Sequence, residues 1–258
     1  MSALPSDDRG WFELVLENQP PLWRLYVEAC GGELFTDGDV QAAIVAASPN
    51  RSFFNSAFYS DTDHLVELLP RLAEVYEDAG VNAWTVWIPA EDQRARDALS
   101  EAGHVLDATP RAMGFELSAL DVPEPDPALE IRAEMDMELI RVINETAYGY
   151  AAGDFPPMEQ MPDTAVYLAS LNGETIGTAL TWDRGADTEV TFVATLPEAR
   201  GRGIARRLLG RALERERERG KSGSTLIATK LGFPVYERLG YRDVGGLEMW
   251  ERRFEPQG

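Results

Sequence analysis

The chain has 258 residues, 44% of them hydrophobic, which is enough for two modest domains or one large one and excludes global disorder. Its 44 acidic and 24 basic side chains leave a net charge of −20, arguing against nucleic acid or an anionic membrane as partner. One cysteine, Cys30, excludes an intramolecular disulfide and a cysteine-based metal cluster, and residues 1–8 lack the basic and apolar regions of a secretory signal.

In the first half, residues 40–47 and 52–59 read as strands and 65–77 as an amphipathic helix ending at Gly80. Residues 83–88 then read as a strand, 94–101 as a helix and 113–117 as a strand. Trp84 and Trp87 fall on opposite faces of their strand. His64 and His104 have no partners at metal-ligand spacing, so they read as exposed or core histidines. Three prolines in residues 121–127 mark a linker, which sets an expected division into residues 1–120, a proline-rich linker 121–128 and residues 129–258.

In the second half, 129–133 reads as a strand, 137–146 as a helix and 151–162 as a proline-containing loop. Residues 165–171 and 175–181 form two antiparallel strands about Asn172-Gly173. Then come a strand at 189–195, a helix at 203–219, a buried strand at 225–229, a short helix at 234–239 stopped by Gly240, and a closing strand at 246–252. Helix, glycine, strand, short helix and glycine-aromatic recur in both halves. Gly220 follows Gly80 by 140 residues (220 − 80) and Gly240 follows Gly103 by 137 (240 − 103), which suggests duplication of one unit.

Charge separates the two copies. Residues 1–120 carry 20 acidic and 7 basic side chains and residues 121–199 carry 16 and 3, whereas residues 200–221 carry nine basic against three acidic. The reversal sits on Arg200-Gly201-Arg202-Gly203-Ile204-Ala205-Arg206-Arg207, between a β-branched strand and a helix. Such a junction aims backbone N–H groups and a helix N-terminus at a phosphate. The corresponding junction of the first half, Ser60-Asp61-Thr62-Asp63-His64, has no glycine, no arginine and two carboxylates, and would repel a pyrophosphate.

The segment Arg200-Gly201-Arg202-Gly203-Ile204-Ala205, with Pro197 before it, resembles the cofactor signature Gln/Arg-x-x-Gly-x-Gly/Ala of the GNAT superfamily of acyl-CoA-dependent N-acetyltransferases. Residues 225–229 followed by Tyr236-Glu237-Arg238-Leu239-Gly240-Tyr241 resemble that superfamily's closing motif. The resemblance covers residues 128–254 and is architectural for 1–120. It implies an α/β fold of two tandem GNAT-like domains, each a mostly antiparallel mixed sheet flanked by helices, the first without a cofactor loop.

The resemblance further implies acetyl-CoA as co-substrate and no metal. Arg200, Gly201, Arg202, Gly203, Ile204, Ala205 and Arg206 would surround the pyrophosphate, and Val193, Ala194, Thr195 and Thr229 the pantetheine arm. Tyr236 matches the general acid to the sulfur, and Glu189, eleven residues before Arg200, matches a general-base glutamate (200 − 189). A water chain serves as base in many members. The backbone N–H near Thr195 would polarise the carbonyl. With Cys30 outside this half and no Ser-His pair, direct attack by a primary amine in a ternary complex is expected, and the carboxylates of 121–199 point to a small-molecule or peptide acceptor of cationic character. Asp154, Phe155, Met158 and Glu159 lie in the loop expected to line its pocket. Alternatives are a mycothiol-synthase-like enzyme and a non-catalytic acyl-CoA sensor or interaction module. The expected setting is a cytoplasmic monomer or homodimer with no nucleic-acid or membrane partner.

Overall fold

A computed structural model describes residues 4–254. Two compact units emerge, and neither is contiguous in sequence. The first joins the chain up to Asn18 to Arg111–Val244, and the second joins Gln19–Pro110 to the chain from Gly245 onward. This differs from the expected split at residues 121–128. Residues 111–116 of the first half pair with residues 223–228, and the closing strand of the second half pairs with residues 83–89, long-range pairings that local patterns do not encode.

The first unit is a mixed sheet in the order β6 (Arg111–Glu116), β11 (Gly223–Ala228), β10 (Asp187–Thr195), β9 (Glu174–Arg184), β8 (Thr164–Leu171), β7 (Leu129–Ala133). Only β10 and β11 are parallel among these described pairs, because the helix α5 (Ile204–Glu218) connects them as a crossover. Leu208, Leu209, Ala212 and Leu213 of α5 pack on Tyr167, Val190 and Leu226. Each fully buried leucine contributes roughly 1.5–3 kcal/mol. The opposite face carries α4 (Met137–Tyr148), whose Asn144 donates to Thr178 Oγ1 at 3.1 Å, and the first part of α1 (Asp8–Ala29). Trp11 of α1 lies so close to Gly114 that an added Cβ would come within 2.6 Å of its ring.

The 121–127 segment is an ordered strap. Pro123 lies against Gly210, where a Cβ would come within 2.3 Å of its Cδ, and Arg207 donates to the Glu124 carbonyl at 3.1 Å.

The second unit repeats the plan. Strand β3 (Ser56–Phe58), helix α2 (Thr62–Asp78) and strand β4 (Ala83–Pro89) form a parallel crossover, flanked by β2 (Val40–Ile44), β1 (Glu33–Asp37) and β12 (Arg242–Arg253). Helix α3 (Gln93–Glu101) and β5 (Val105–Ala108) follow, and β5 pairs with β12. Gly80 and Gly220 have φ of 71° and 91°, Gly103 and Gly240 have 84° and 108°, so each helix of both copies ends on a left-handed glycine. Leu65, Leu69, Leu72, Tyr76, Trp84 and Ile88 build this unit's own core.

Several local expectations change. Residues 52–59 are a 3₁₀ turn, Ser52–Phe54, followed by the three-residue β3. Asn55 breaks the longer strand: its side chain donates to the Ser48 and Arg51 carbonyls and accepts from Val45 N, a local network that competes with a ladder. The strand expected at 113–117 runs Arg111–Glu116. Helix α1, with Pro20 and Pro21 inside it, and strands β1 and β5 were not anticipated. Interior prolines normally argue against a helix.

Candidate active site

Strand β10 begins in full register between two neighbours and ends beside a gap. Its parallel pairing with β11 runs through Asp187↔Gly223, Thr188↔Ser224 and Glu189↔Thr225 and stops there. Beyond that point β11 pairs with β6 while β10 follows β9, so the two strands diverge into a wedge. A bulge between Thr191 and Ala194 re-aims β10 at the same place. Phe192 sits in it at φ 48°, an unusual conformation for an aromatic residue. The Phe192 carbonyl accepts from Thr178 Oγ1 at 3.0 Å and Asn144 Nδ2 at 3.4 Å, which holds the bulge from α4.

At the end of the wedge the chain turns through Pro197–Ala199 and enters α5. Gly201 and Gly203 take φ of 76° and 72°, values glycine tolerates best. Gly203 is the N-cap and no side chain caps α5, so its first-turn N–H groups keep their full donor capacity and dipole. A Cβ on Gly203 would lie 2.8 Å from Arg207 Nη1. Arg202 is exposed, Ile204 buried, and Ala205 half-buried. Arg206 Nε is buried without a hydrogen-bond partner beside a cavity of about 310 Å³ lined by Asp121–Glu124, Gly203, Arg206 and Arg207. A small-residue cradle, uncapped donors and arginine charge fit a pyrophosphate.

The matching place in the second unit is filled by the chain itself. Asp61 caps α2, accepting from the N–H groups of Asp63 at 2.9 Å and His64 at 3.3 Å. Asp39 accepts from Ser60 N at 2.6 Å and Asp61 N at 2.5 Å, and lies 2.6 Å from His64 Nδ1. Desolvation pushes the Asp39 carboxyl up, but the hydrogen bonds from His64, Ser60 and Asp61 together outweigh it and hold the carboxyl well below its usual range. Internal carboxylates occupy the donors that a phosphate would need.

Tyr236, on the short helix α6 (Phe233–Glu237), is buried edge-to-face against Tyr241 with ring centroids 5.9 Å apart. Burial pushes its phenol well above the usual value, so it is protonated at neutral pH. Thr229 is exposed and structural in its contacts. Its Oγ1 accepts from Gly232 N at 3.2 Å, which steadies the turn into α6.

Glu189 is placed differently from Tyr236. It is 2% exposed and pairs with Thr225, whose Oγ1 bonds Asn18 and Asp187 on the face covered by α1. Tyr236 packs with Leu226 and Phe115 in the cluster beneath α5. Since Thr225 and Leu226 point to opposite faces of β11, so do Glu189 and Tyr236.

The loop after α4 is held in place by residues the motifs did not flag. Glu145, buried, accepts from Gly153 N at 2.7 Å and Phe155 N at 2.8 Å and pairs with Arg141 at 2.9 Å. Phe155 and Met158 are buried, Glu159 is exposed, and Asp154 accepts from Ala151 N at 2.8 Å. In sequence, Glu138, Arg141 and Glu145 look like surface pairs at helical spacing, so only burial distinguishes Glu145. Tyr148 was also missed; its hydroxyl donates to the Val193 carbonyl at 3.2 Å. Arg200 donates Nε to the Thr195 carbonyl at 3.2 Å and Nη2 to the Ala147 carbonyl. The histidines lie elsewhere: His64 pairs with Asp39, and His104 is buried against Trp84, ring centroids 4.5 Å apart.

The site is thus a sheet split between two parallel strands, with a glycine-arginine turn and an uncapped helix at its mouth. Residues 162–243 match the family model described as "Acetyltransferase (GNAT) domain", so this stretch is similar to the domains of that family. Solved structures extend the likeness to nearly the whole chain. A GCN5-related N-acetyltransferase from Kribbella flavida superposes with TM-score 0.68 at 18% identity, covering 93% of this chain and 96% of that one. One from Sphaerobacter thermophilus gives 0.60 at 18% identity, covering 94% of each. A tandem GNAT protein from the clavulanic acid biosynthesis pathway gives 0.57 at 12% identity, covering 88% of this chain and 80% of that one. The overall fold is that of these GNAT structures, tandem members included. No helix of the described residues is long and apolar enough to cross a membrane.

Proposed function

We propose that the protein is an N-acetyltransferase that moves the acetyl group of acetyl-CoA to a primary amine by direct attack in a ternary complex. The observation that carries this reading is the wedge that opens past Glu189↔Thr225 with the uncapped N-terminus of α5 at its mouth. Gly201, Gly203 and the first-turn N–H groups of α5 would hold the pyrophosphate, with Arg202 and Arg206 adding charge. Backbone groups of Val193, Ala194 and Thr195 would hold the pantetheine arm. When bound, acetyl-CoA supplies an activated acyl group on sulfur.

The chain's residues then manage charge and protons. A backbone N–H of the Val193–Thr195 stretch stabilises negative charge building on the carbonyl oxygen. As the amine nitrogen forms its bond to the carbonyl carbon, the carbon–sulfur bond breaks and Tyr236 delivers its proton to the departing sulfur. The amine's own proton leaves through water. Glu189, buried at the root of the wedge, receives it through that water rather than by direct contact. The surplus of 16 acidic over 3 basic side chains in residues 121–199 favours a cationic acceptor.

Calorimetric titration with CoA, followed by thiol release from acetyl-CoA in the presence of an amine panel, tests the reading. Binding that is abolished in Gly203→Asp, and thiol release that needs an amine, are expected. No CoA binding, or binding indifferent to Gly203→Asp, overturns it.

A further inference from the structure

The end of β10 offers two backbone carbonyls to the wedge, and both carry hydrogen bonds from this chain's own side chains. In a strand, the N–H and C=O of one residue point to the same edge, and successive residues alternate. Leu196 donates its N–H to the Ile176 carbonyl at 2.9 Å, so Leu196 and Ala194 face β9. Val193 and Thr195 therefore face the wedge. Tyr148 donates its hydroxyl to the Val193 carbonyl at 3.2 Å, and Arg200 donates Nε to the Thr195 carbonyl at 3.2 Å. Arg200 also holds the Ala147 carbonyl, immediately before Tyr148, which ties the last turn of α4 to the strand end.

The two contacts differ in what can move. Arg200 is anchored at both ends by backbone carbonyls. Tyr148 is 48% exposed. We propose that Tyr148 gates the wedge: its phenol and the pantetheine amide of an incoming acyl-CoA compete for the Val193 carbonyl, and the phenol must swing away before the cofactor pairs with β10. This rests on the acyl-CoA reading above and adds to it the residue that limits cofactor entry. A neutral hydrogen bond contributes about 0.5–1.5 kcal/mol net, so removing the competitor should tighten cofactor binding by roughly two- to tenfold.

The test is calorimetric titration of CoA into wild type and Tyr148→Phe, with thermal unfolding of both to show an intact fold. Phenylalanine keeps the ring and deletes only the donor. Binding two- to tenfold tighter in Tyr148→Phe is the expected result. An unchanged or weakened affinity overturns the gate and leaves the acyl-CoA reading standing. Absence of CoA binding in both proteins overturns both.

Discussion

Glu189 and Thr225 are the last residues at which β10 and β11 run in register, and the strand edges and the glycine turn of the candidate site lie beyond that pair. Up to it the sheet is continuous, and past it the strand edges are available to a ligand. The turn at the far end of β10 depends on glycine in a way that can be measured.

Gly203→Ala forces a left-handed residue, costing about 1–2 kcal/mol, and sets a Cβ 2.8 Å from Arg207 Nη1. Arg207 would lose its 3.1 Å hydrogen bond to the Arg202 carbonyl. We expect the melting temperature to fall by about 2–8 °C and CoA affinity to fall by at least about tenfold, since 1.4 kcal/mol is tenfold. Calorimetry and thermal unfolding check the two separately, and full retention of CoA affinity would count against the cradle.

Tyr236→Phe removes the proton donor while leaving the buried ring and its 5.9 Å edge-to-face packing on Tyr241. The expected outcome is a kcat lower by about 10²–10⁴-fold, the usual range for a general acid, with CoA affinity unchanged. Steady-state thiol release and calorimetry on the same preparation separate these. A kcat within twofold of wild type assigns the residue to packing alone.

Much of the site was legible because a glycine-rich turn and a strand-helix-strand crossover are local features, set by neighbouring residues. Gly201, Gly203 and the strands around them lie where the pattern put them. What stayed hidden depends on distant contacts. The separation of Glu189 from Tyr236 follows from which face of β11 each neighbour occupies, and linear spacing carries no such information. Helix α1 was masked by Pro20 and Pro21, although its Trp11 and Asn18 are buried. Strand β1 had a signal that was overlooked: Gly38-Asp39, a two-residue hairpin loop opened by glycine, with Gly38 at φ 53°. The exchange of closing strands left no local trace.

Glu145→Ala deletes the acceptor for Gly153 N and Phe155 N and strips Arg141 of a partner inside a largely buried site. Breaking such a cluster costs about 2–4 kcal/mol. We expect a lower urea midpoint together with a raised KM for the amine, because the loop over 150–161 loses its tether. CoA affinity should change far less. A loss of stability with an unaltered acceptor KM would remove that loop from the acceptor site.

The two histidines should move stability in opposite directions with pH. Burial, reinforced by the positive charge of Arg252, pulls His104 down to about 4. The unfolded chain binds that proton near 6.5. Between those values the unfolded state holds more protons, so stability falls as pH drops from about 6.5 toward 4, by about 2–4 kcal/mol in total. His64 is raised instead, chiefly by its hydrogen bond to Asp39. Its stabilisation is fully present below about 6.5 and is lost as pH rises through its folded value. Urea unfolding of wild type, His104→Leu and His64→Ala from pH 4.5 to 8 separates the two. The difference between wild type and His104→Leu should grow steadily more unfavourable to wild type below pH ~6.5, since the leucine has no proton to take up. The difference between wild type and His64→Ala should favour wild type at the acid end and shrink as pH rises through the raised folded value. A flat difference for His104→Leu across this range would mean that the buried imidazole accepts its proton without cost, and the burial of His104 against Trp84 could not then be the cause of acid sensitivity.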